Sequence, residues 1–399
     1  MRRINIAAWI LISVNSLTVE LALADAPKFS EQMACVMGSL NTAIGIAPEI
    51  PPYRHLVNDS SSDFILPAEK MPWTAGYFAM DRNGIAKRWQ GLKVFETQLL
   101  SEVDSHDLVA RLKQAPRKSL DGLAATEKFD IALRQYQFPT TRMELTQRGT
   151  QRTPAPKYWE GFCNGVCAAS ILFREPKYPV SVTNEDGITV EFQPNDIKAL
   201  AAASYFYVEK YAAINSPNRT EAEINLATIP NPGVFDFLLT QYLGKHFVSF
   251  VVDINPNPEI WNHVVIGYTR KLGPILAWPE GGDAPQGTRF IVDTRVTVRY
   301  AENVSDDASN RGTISALRAL RKGYIVEKTY RYQLFLDQEQ KVVGGVWPPE
   351  TTMAPDLVWF PGGRGMDAEW GANSYLDFDK IEKLVNASHL MNSEIRLQD

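Results

Sequence analysis

Apolar and polar positions change their period several times along this chain, and the changes mark out its elements. A short apolar run, Ile6 to Val14, follows Arg2 and Arg3 and precedes the small residues of Ala22-Leu23-Ala24. That order predicts a secretory signal cleaved after Ala24, too short to span a bilayer. Phe95 to Leu112 and Gly122 to Tyr136 carry the spacing of amphipathic helices. A proline-bearing stretch over residues 151–156 reads as a linker. From Cys163 to Leu172 the residues are small and apolar on every side, which predicts a helix buried all round and ended by Pro176 and Pro179. Asn195 reads as the N-cap of a second helix, Asp196 to about Ala213.

Three strand-like runs follow: Val234 to Leu243, Phe247 to Asp253, and Glu259 to Thr269. Turns at Gly244-Lys245 and Asn255-Pro256-Asn257-Pro258 separate them, so an antiparallel meander is predicted. Further strands are expected at Phe290 to Tyr300, Val326 to Leu336 and Lys341 to Trp347, and a short helix near Phe378 to Ala387. The pattern predicts an α+β protein in four stretches. Residues 1–24 form the signal peptide, 25–153 a helical N-terminal lobe, 154–272 a core, and 273–399 a β-rich C-terminal lobe.

Composition narrows the function. A net charge of −5, without a lysine- or arginine-dense run, gives no electrostatic footprint for nucleic acid. No second uncharged stretch approaches the ~18 residues of a membrane span, so a secreted or periplasmic protein is expected. Three cysteines in an exported chain leave at least one thiol unpaired within it. Cys163 and Cys167 stand one helical turn apart, where the disulfide torsion disfavours a bridge. If a bridge forms, Cys35 to Cys167 is the expected one, which leaves Cys163 free. No histidine lies near the pair at zinc-ligand spacing, so no metal site is read there.

Cys163 is the candidate nucleophile. A helix N-terminus offers free N–H groups and positive dipole, which favour a thiolate and could hold the oxyanion of a tetrahedral intermediate. The segment Tyr158-Trp159-Glu160-Gly161-Phe162-Cys163, running on to Ala169, resembles the active-site segment of the transglutaminase elicitor family. Pro72-Trp73, Gly84 to Trp89, Glu127 to Asp130, Asp196 to Leu200, Asn231-Pro232-Gly233, Val252-Asp253, Trp261-Asn262, Gly344 to Trp347 and Pro355 to Trp359 are similar to further landmarks of that family, in the same order. The resemblance implies a transglutaminase-like or papain-like core, in which the cysteine-bearing helix packs on the meander. It also implies acyl transfer from a glutamine carboxamide to a lysine amine or water, with glutamine- and lysine-containing proteins as partners. Calcium enters as a cofactor by resemblance alone, since no EF-hand spacing is present.

The family pattern sets a histidine after the Asn-Pro-Gly-x-Phe stretch, where this chain carries Asp236. Its histidines are His55, His106, His246, His263 and His389. With Gly244-Lys245 turning the first hairpin, Asp236 and Asp253 would meet near its open end. His246 would then sit roughly 20 Å away at the turn, counting ~3.3 Å per residue. His263 would fall near the open end. The expected constellation is therefore Cys163, His263 and Asp253, with Asp236 close by to keep the imidazole charged. A core histidine satisfied by its neighbours is the competing reading of His263. Trp159 and Trp261 are expected to line an acyl-donor channel, with Asn262 beside them. Two further functions stay open: hydrolysis by the same thiol, as a cysteine peptidase or deamidase, and a secreted binding protein that has kept the fold without the activity.

Overall fold

A computed structural model describes residues 28–37, 61–89, 105–207, 210–214, 229–279, 284–304, 313–362 and 373–398. The expected signal segment lies outside the described residues. The helices are α1 (Lys28–Cys35), α2 (Ser105–Gln114), α3 (Ala125–Ala132), α4 (Pro139–Gln147), α5 (Cys163–Leu172), α6 (Pro194–Ser204), α7 (Pro232–Phe237), α8 (Thr313–Arg318) and α9 (Phe378–Ala387). The strands are β1 (Ser61–Ile65), β2 (Val180–Thr183), β3 (Thr189–Phe192), β4 (Lys210–Ile214), β5 (Val251–Asp253), β6 (Asn262–Ala277), β7 (Phe290–Ala301), β8 (Ile325–Leu336), β9 (Val342–Val346), β10 (Leu357–Pro361) and β11 (Ser393–Ile395). The molecule is α+β.

β6 is the hub of the larger sheet, whose order is β4-β10-β5-β6-β7-β8-β9. Its first residues pair with β5, while Gly267 to Lys271 pair with β1, and β7 lies along its other edge. The expected boundary at 272/273 falls inside β6, and β7 to β9 continue the same sheet. β2, β3 and β11 form a second sheet.

α5 starts at Cys163, as its small apolar residues predict, and packs on β6 and β10. Gly165 is what lets α5 approach α6: a Cβ there would stand 2.0 Å from the Ala202 carbonyl oxygen. α6 begins at Pro194, with Gln193 rather than Asn195 at its N-cap. The Asp196 carboxylate accepts the Gln193 N–H at 2.8 Å and so closes that helix end. The same carboxylate meets Lys128 Nζ at 2.6 Å and the Trp89 indole at 2.7 Å, all three residues buried. Asp196 is therefore both a cap and a tie between α6 and α3. The helix ends at Ser204, well before Ala213, and β4 covers Lys210–Ile214 instead.

One part of the predicted meander is corrected. Val234 to Leu243 is helical, α7 running into a π-helix at Leu238–Leu243. Asn231 Oδ1 accepts the Gly233 N–H at 2.9 Å, and Pro232 occupies the first helical position, so Asn-Pro-Gly opens a helix here rather than a turn. Most of the run is buried on every side, and an apolar stretch without exposed positions has no period to separate helix from strand. The β7, β8, β9 and α9 expectations hold to within a residue or two.

Candidate active site

The Cys163 sulfur sits at the first turn of α5, with 5 % of the residue exposed. Its S–H points to the Ile260 carbonyl at 3.7 Å, and the Asn262 side-chain amide donates to the sulfur at 3.6 Å. The backbone N–H groups of Asn262 and Asn164 also face the sulfur. Burial pushes the thiol above its ordinary pKa; the Asn262 and Asn164 donors oppose this, and the Asp253 charge adds to it. Burial holds Cys167, one turn on, higher still. Cys35, Cys163 and Cys167 are all free thiols, so the conditional Cys35–Cys167 bridge is absent.

Asp253 and Asn262 are directly opposed across β5 and β6, and Trp359 opposes Val251 across β10 and β5. Side chains alternate along a strand and cross-strand partners share a face, so Asp253, Asn262 and Trp359 look toward α5. Asp253 Oδ1 accepts the Trp261 N–H at 3.1 Å, which fixes the start of β6. The Trp359 indole donates to Asn262 Oδ1 at 2.9 Å.

His263 is one residue beyond Asn262 on the same strand, so its ring points to the opposite face of the sheet. Its Nδ1 lies 2.9 Å from the Trp261 carbonyl and its Nε2 3.5 Å from Glu302 Oε1. The ring packs edge-on to Tyr300. Burial raises the Glu302 carboxyl, but its interactions with His263, the Asn303 N–H and Lys328 together leave that pKa below its ordinary value. The expected Cys163–His263 contact is thus not made: this is a core histidine satisfied by its neighbours.

Asp236 is also elsewhere. Carried on α7 instead of a hairpin strand, its carboxylate is 2.9 Å from Arg270 Nε and accepts the Tyr332 hydroxyl at 2.7 Å. It is fully buried in that ion pair. With no first hairpin, the open end at which Asp236 was to meet Asp253 does not exist. His246 follows the π-helix, where burial and Lys245 lower its pKa.

The aromatic residues form a clasp between the loop before α5 and the loop before β6. Tyr158, on the loop before α5, donates its hydroxyl to Glu259, whose other oxygen accepts the Trp261 indole at 3.0 Å. Tyr77 packs edge-on to Trp261, with centroids 5.5 Å apart. Trp159 carries Lys157 over its ring and is half-buried. The clasp joins the two loops that flank the sulfur. Trp359, Glu302 and the Ile260 carbonyl were not singled out as site groups in the sequence, although Trp359 ends one of the landmark segments. Among the described residues no three His, Cys, Asp or Glu side chains converge as metal ligands, so no calcium-holding set is assigned. Among the same residues no helix is long and apolar enough to cross a membrane.

A search of curated proteins finds no match. A solved structure, the crystal structure of the GP42 transglutaminase from Phytophthora sojae, superposes with a TM-score of 0.60 at 19% identity, over 88% of this chain and 97% of that one. At that identity the likeness establishes the fold, which is transglutaminase-like. The profile of the transglutaminase elicitor family matches residues 63–390, spanning the cysteine helix, the sheet and the clasp. The chain belongs to the transglutaminase elicitor family.

Proposed function

We propose that this chain is an exported protein-glutamine acyltransferase that carries the acyl group on Cys163 and takes glutamine- and lysine-bearing proteins as substrates. The observation behind this reading is the sulfur at the first residue of α5, with the Asn262 amide and two backbone N–H groups turned toward it. In the reaction the sulfur bonds to the side-chain carbonyl carbon of a glutamine, and the negative charge passes to the carbonyl oxygen. The C–N bond then breaks, ammonia leaves, and a thioester remains. Asp253, on the sulfur's side of the sheet, relays the thiol proton to the departing nitrogen. A lysine amine displaces the sulfur and returns a proton to it, forming an isopeptide bond; water in the amine's place gives glutamate. Tyr77, Trp159 and Trp261 wall the approach of the acyl donor.

The test is incorporation of a labelled primary amine into a glutamine-bearing protein. The unmodified chain is expected to incorporate it and Cys163→Ala is not. Equal incorporation by both removes Cys163 from the mechanism. Asp253→Asn separates two roles of one carboxylate: acyl transfer slows, while alkylation of Cys163 accelerates because a repelling charge has gone. One observation favours a second reading, a secreted binding protein without turnover: Glu302 and Trp261 hold the imidazole on the far face of the sheet. That reading takes over if the folded chain neither incorporates amine nor yields a thioester by mass spectrometry.

A further inference from the structure

The Asn262 amide bridges two groups that differ in what they can accept or donate. An indole N–H donates and cannot accept, so the atom facing Trp359 at 2.9 Å must be the amide oxygen. The amide nitrogen is thereby turned to the Cys163 sulfur, at 3.6 Å. Without the indole, the two ends of the amide would be nearly equivalent in shape and free to exchange. Both residues are buried, so water does not compete for either end.

The reach needs a long side chain, and among the uncharged ones the indole alone donates without accepting. Trp359 lies on β10 and Asn262 on β6, with β5 between them. Neighbouring strands stand ~4.8 Å apart, so the bond spans ~10 Å of sheet. A serine or threonine on β10 is too short, and phenylalanine fills the space without a donor. The indole also passes over Val251, its cross-strand partner, on the face that meets α5.

We infer that Asn262 is the side-chain donor for negative charge at the Cys163 sulfur and the adjoining oxyanion, and that Trp359 is the positioning residue that sets its direction. The part played in an acyl transfer rests on the function proposed above; the hydrogen-bond arrangement at the sulfur does not. The titratable groups facing that sulfur are Asp253 from β5 and Cys167 from α5 itself. β6 and β10 contribute the uncharged Asn262 and Trp359.

The experiment is the pH profile of Cys163 alkylation by iodoacetamide in the full chain, read at that residue by mass spectrometry. Loss of one hydrogen bond to the charged form should slow alkylation about threefold to tenfold at fixed pH and move the midpoint upward. Trp359→Phe and Asn262→Ala are each expected to do this, and the double variant no more than Asn262→Ala alone. A change in access alone would scale the rate equally at every pH and leave the midpoint in place. A Trp359→Phe midpoint equal to that of the unmodified chain, or additive effects in the double variant, overturns the inference. Should Trp359→Phe not fold, the indole N–H resonance of Trp359 gives the answer. It should exchange faster and shift in Asn262→Ala, and an unchanged resonance refutes the pairing. Amine incorporation with no midpoint shift would sink this inference alone. A shifted midpoint in a chain without incorporation would sink the proposed function alone.

Discussion

At Cys163 two tendencies compete for one proton. The helix start and the Asn262 and Asn164 donors favour the thiolate, while burial and the Asp253 charge favour the thiol and prevail. The thiolate fraction at neutral pH is therefore below that of a free cysteine. Alkylation of Cys163 should keep rising as the pH passes ~8.5, where an ordinary thiol is half ionised. Site-resolved carboxamidomethylation between pH 6 and 10 measures this, and a plateau below pH 8 would contradict it. Among the described residues no imidazole takes the place beside the sulfur that it holds in thiol enzymes, because strand alternation gives the sulfur Asn262 and sends His263 to Glu302. That outcome was within reach of the sequence. Once Cys163 is set against β6, neighbouring residues 262 and 263 cannot both face it, although pattern alone does not say which one does.

Among the elements, α5 and the clasp make the site. The Gly165–Ala202 approach presses backbone on backbone, and a carbonyl cannot rotate away as a side chain can. Overpacking of this kind costs ~1–3 kcal/mol, more than the ~1 kcal/mol that alanine returns through helix propensity. Gly165→Ala is expected to lower stability in urea unfolding; equal or greater stability would show that α5 and α6 have room to separate. Tyr158 is exposed while Glu259 and Trp261 are half-buried, so the Tyr158–Glu259 bond is the part of the clasp that should open readily, because water can replace it. Tyr158→Phe releases Glu259 and should speed alkylation of Cys163 roughly twofold or more at constant pH. An unchanged rate would mean that the thiol is reached by another route. Some elements were legible from periodicity: α5 by its small residues, β7 and β8 by alternation, α9 by its amphipathic stripe. The short strands β1 to β4, β10 and β11 and the helices α1, α4 and α8 were not read. α7 was misread as a strand, since a fully buried run carries no period, and with it went the hairpin argument that had brought Asp236 to the site.

Across the molecule, buried charges join what the chain order separates. Asp196 ties α6 to α3, and Lys198 reaches Glu175 at 2.8 Å and Thr313 at 3.0 Å. No periodicity predicts such pairings, because each partner looks like an ordinary surface residue until the fold buries it. Asp130 of α3 shows how one of them answers to pH. The N-cap of α4, Phe138, has no capping side chain, and the Asp130 carboxylate serves instead. It accepts the backbone N–H groups of Thr140 at 3.1 Å and Thr141 at 3.0 Å, and the Thr141 hydroxyl at 2.8 Å. Burial pushes its pKa up to about 6 from 3.8 even though those threonine bonds oppose the rise. Between those two values the folded chain holds a proton that the unfolded chain has lost. The group's contribution to stability is complete below pH ~4, falls as the pH rises to ~6, and is level above that. The difference amounts to ~3 kcal/mol at ~1.4 kcal/mol per pH unit. Asp130→Asn does not titrate, and its own packing cost is the same at every pH. The stability of the unmodified chain relative to Asp130→Asn should therefore fall between pH 4 and 6.5, as measured by urea unfolding at several values across that range. A constant difference would mean that the threonine cage, and not burial, sets this carboxyl.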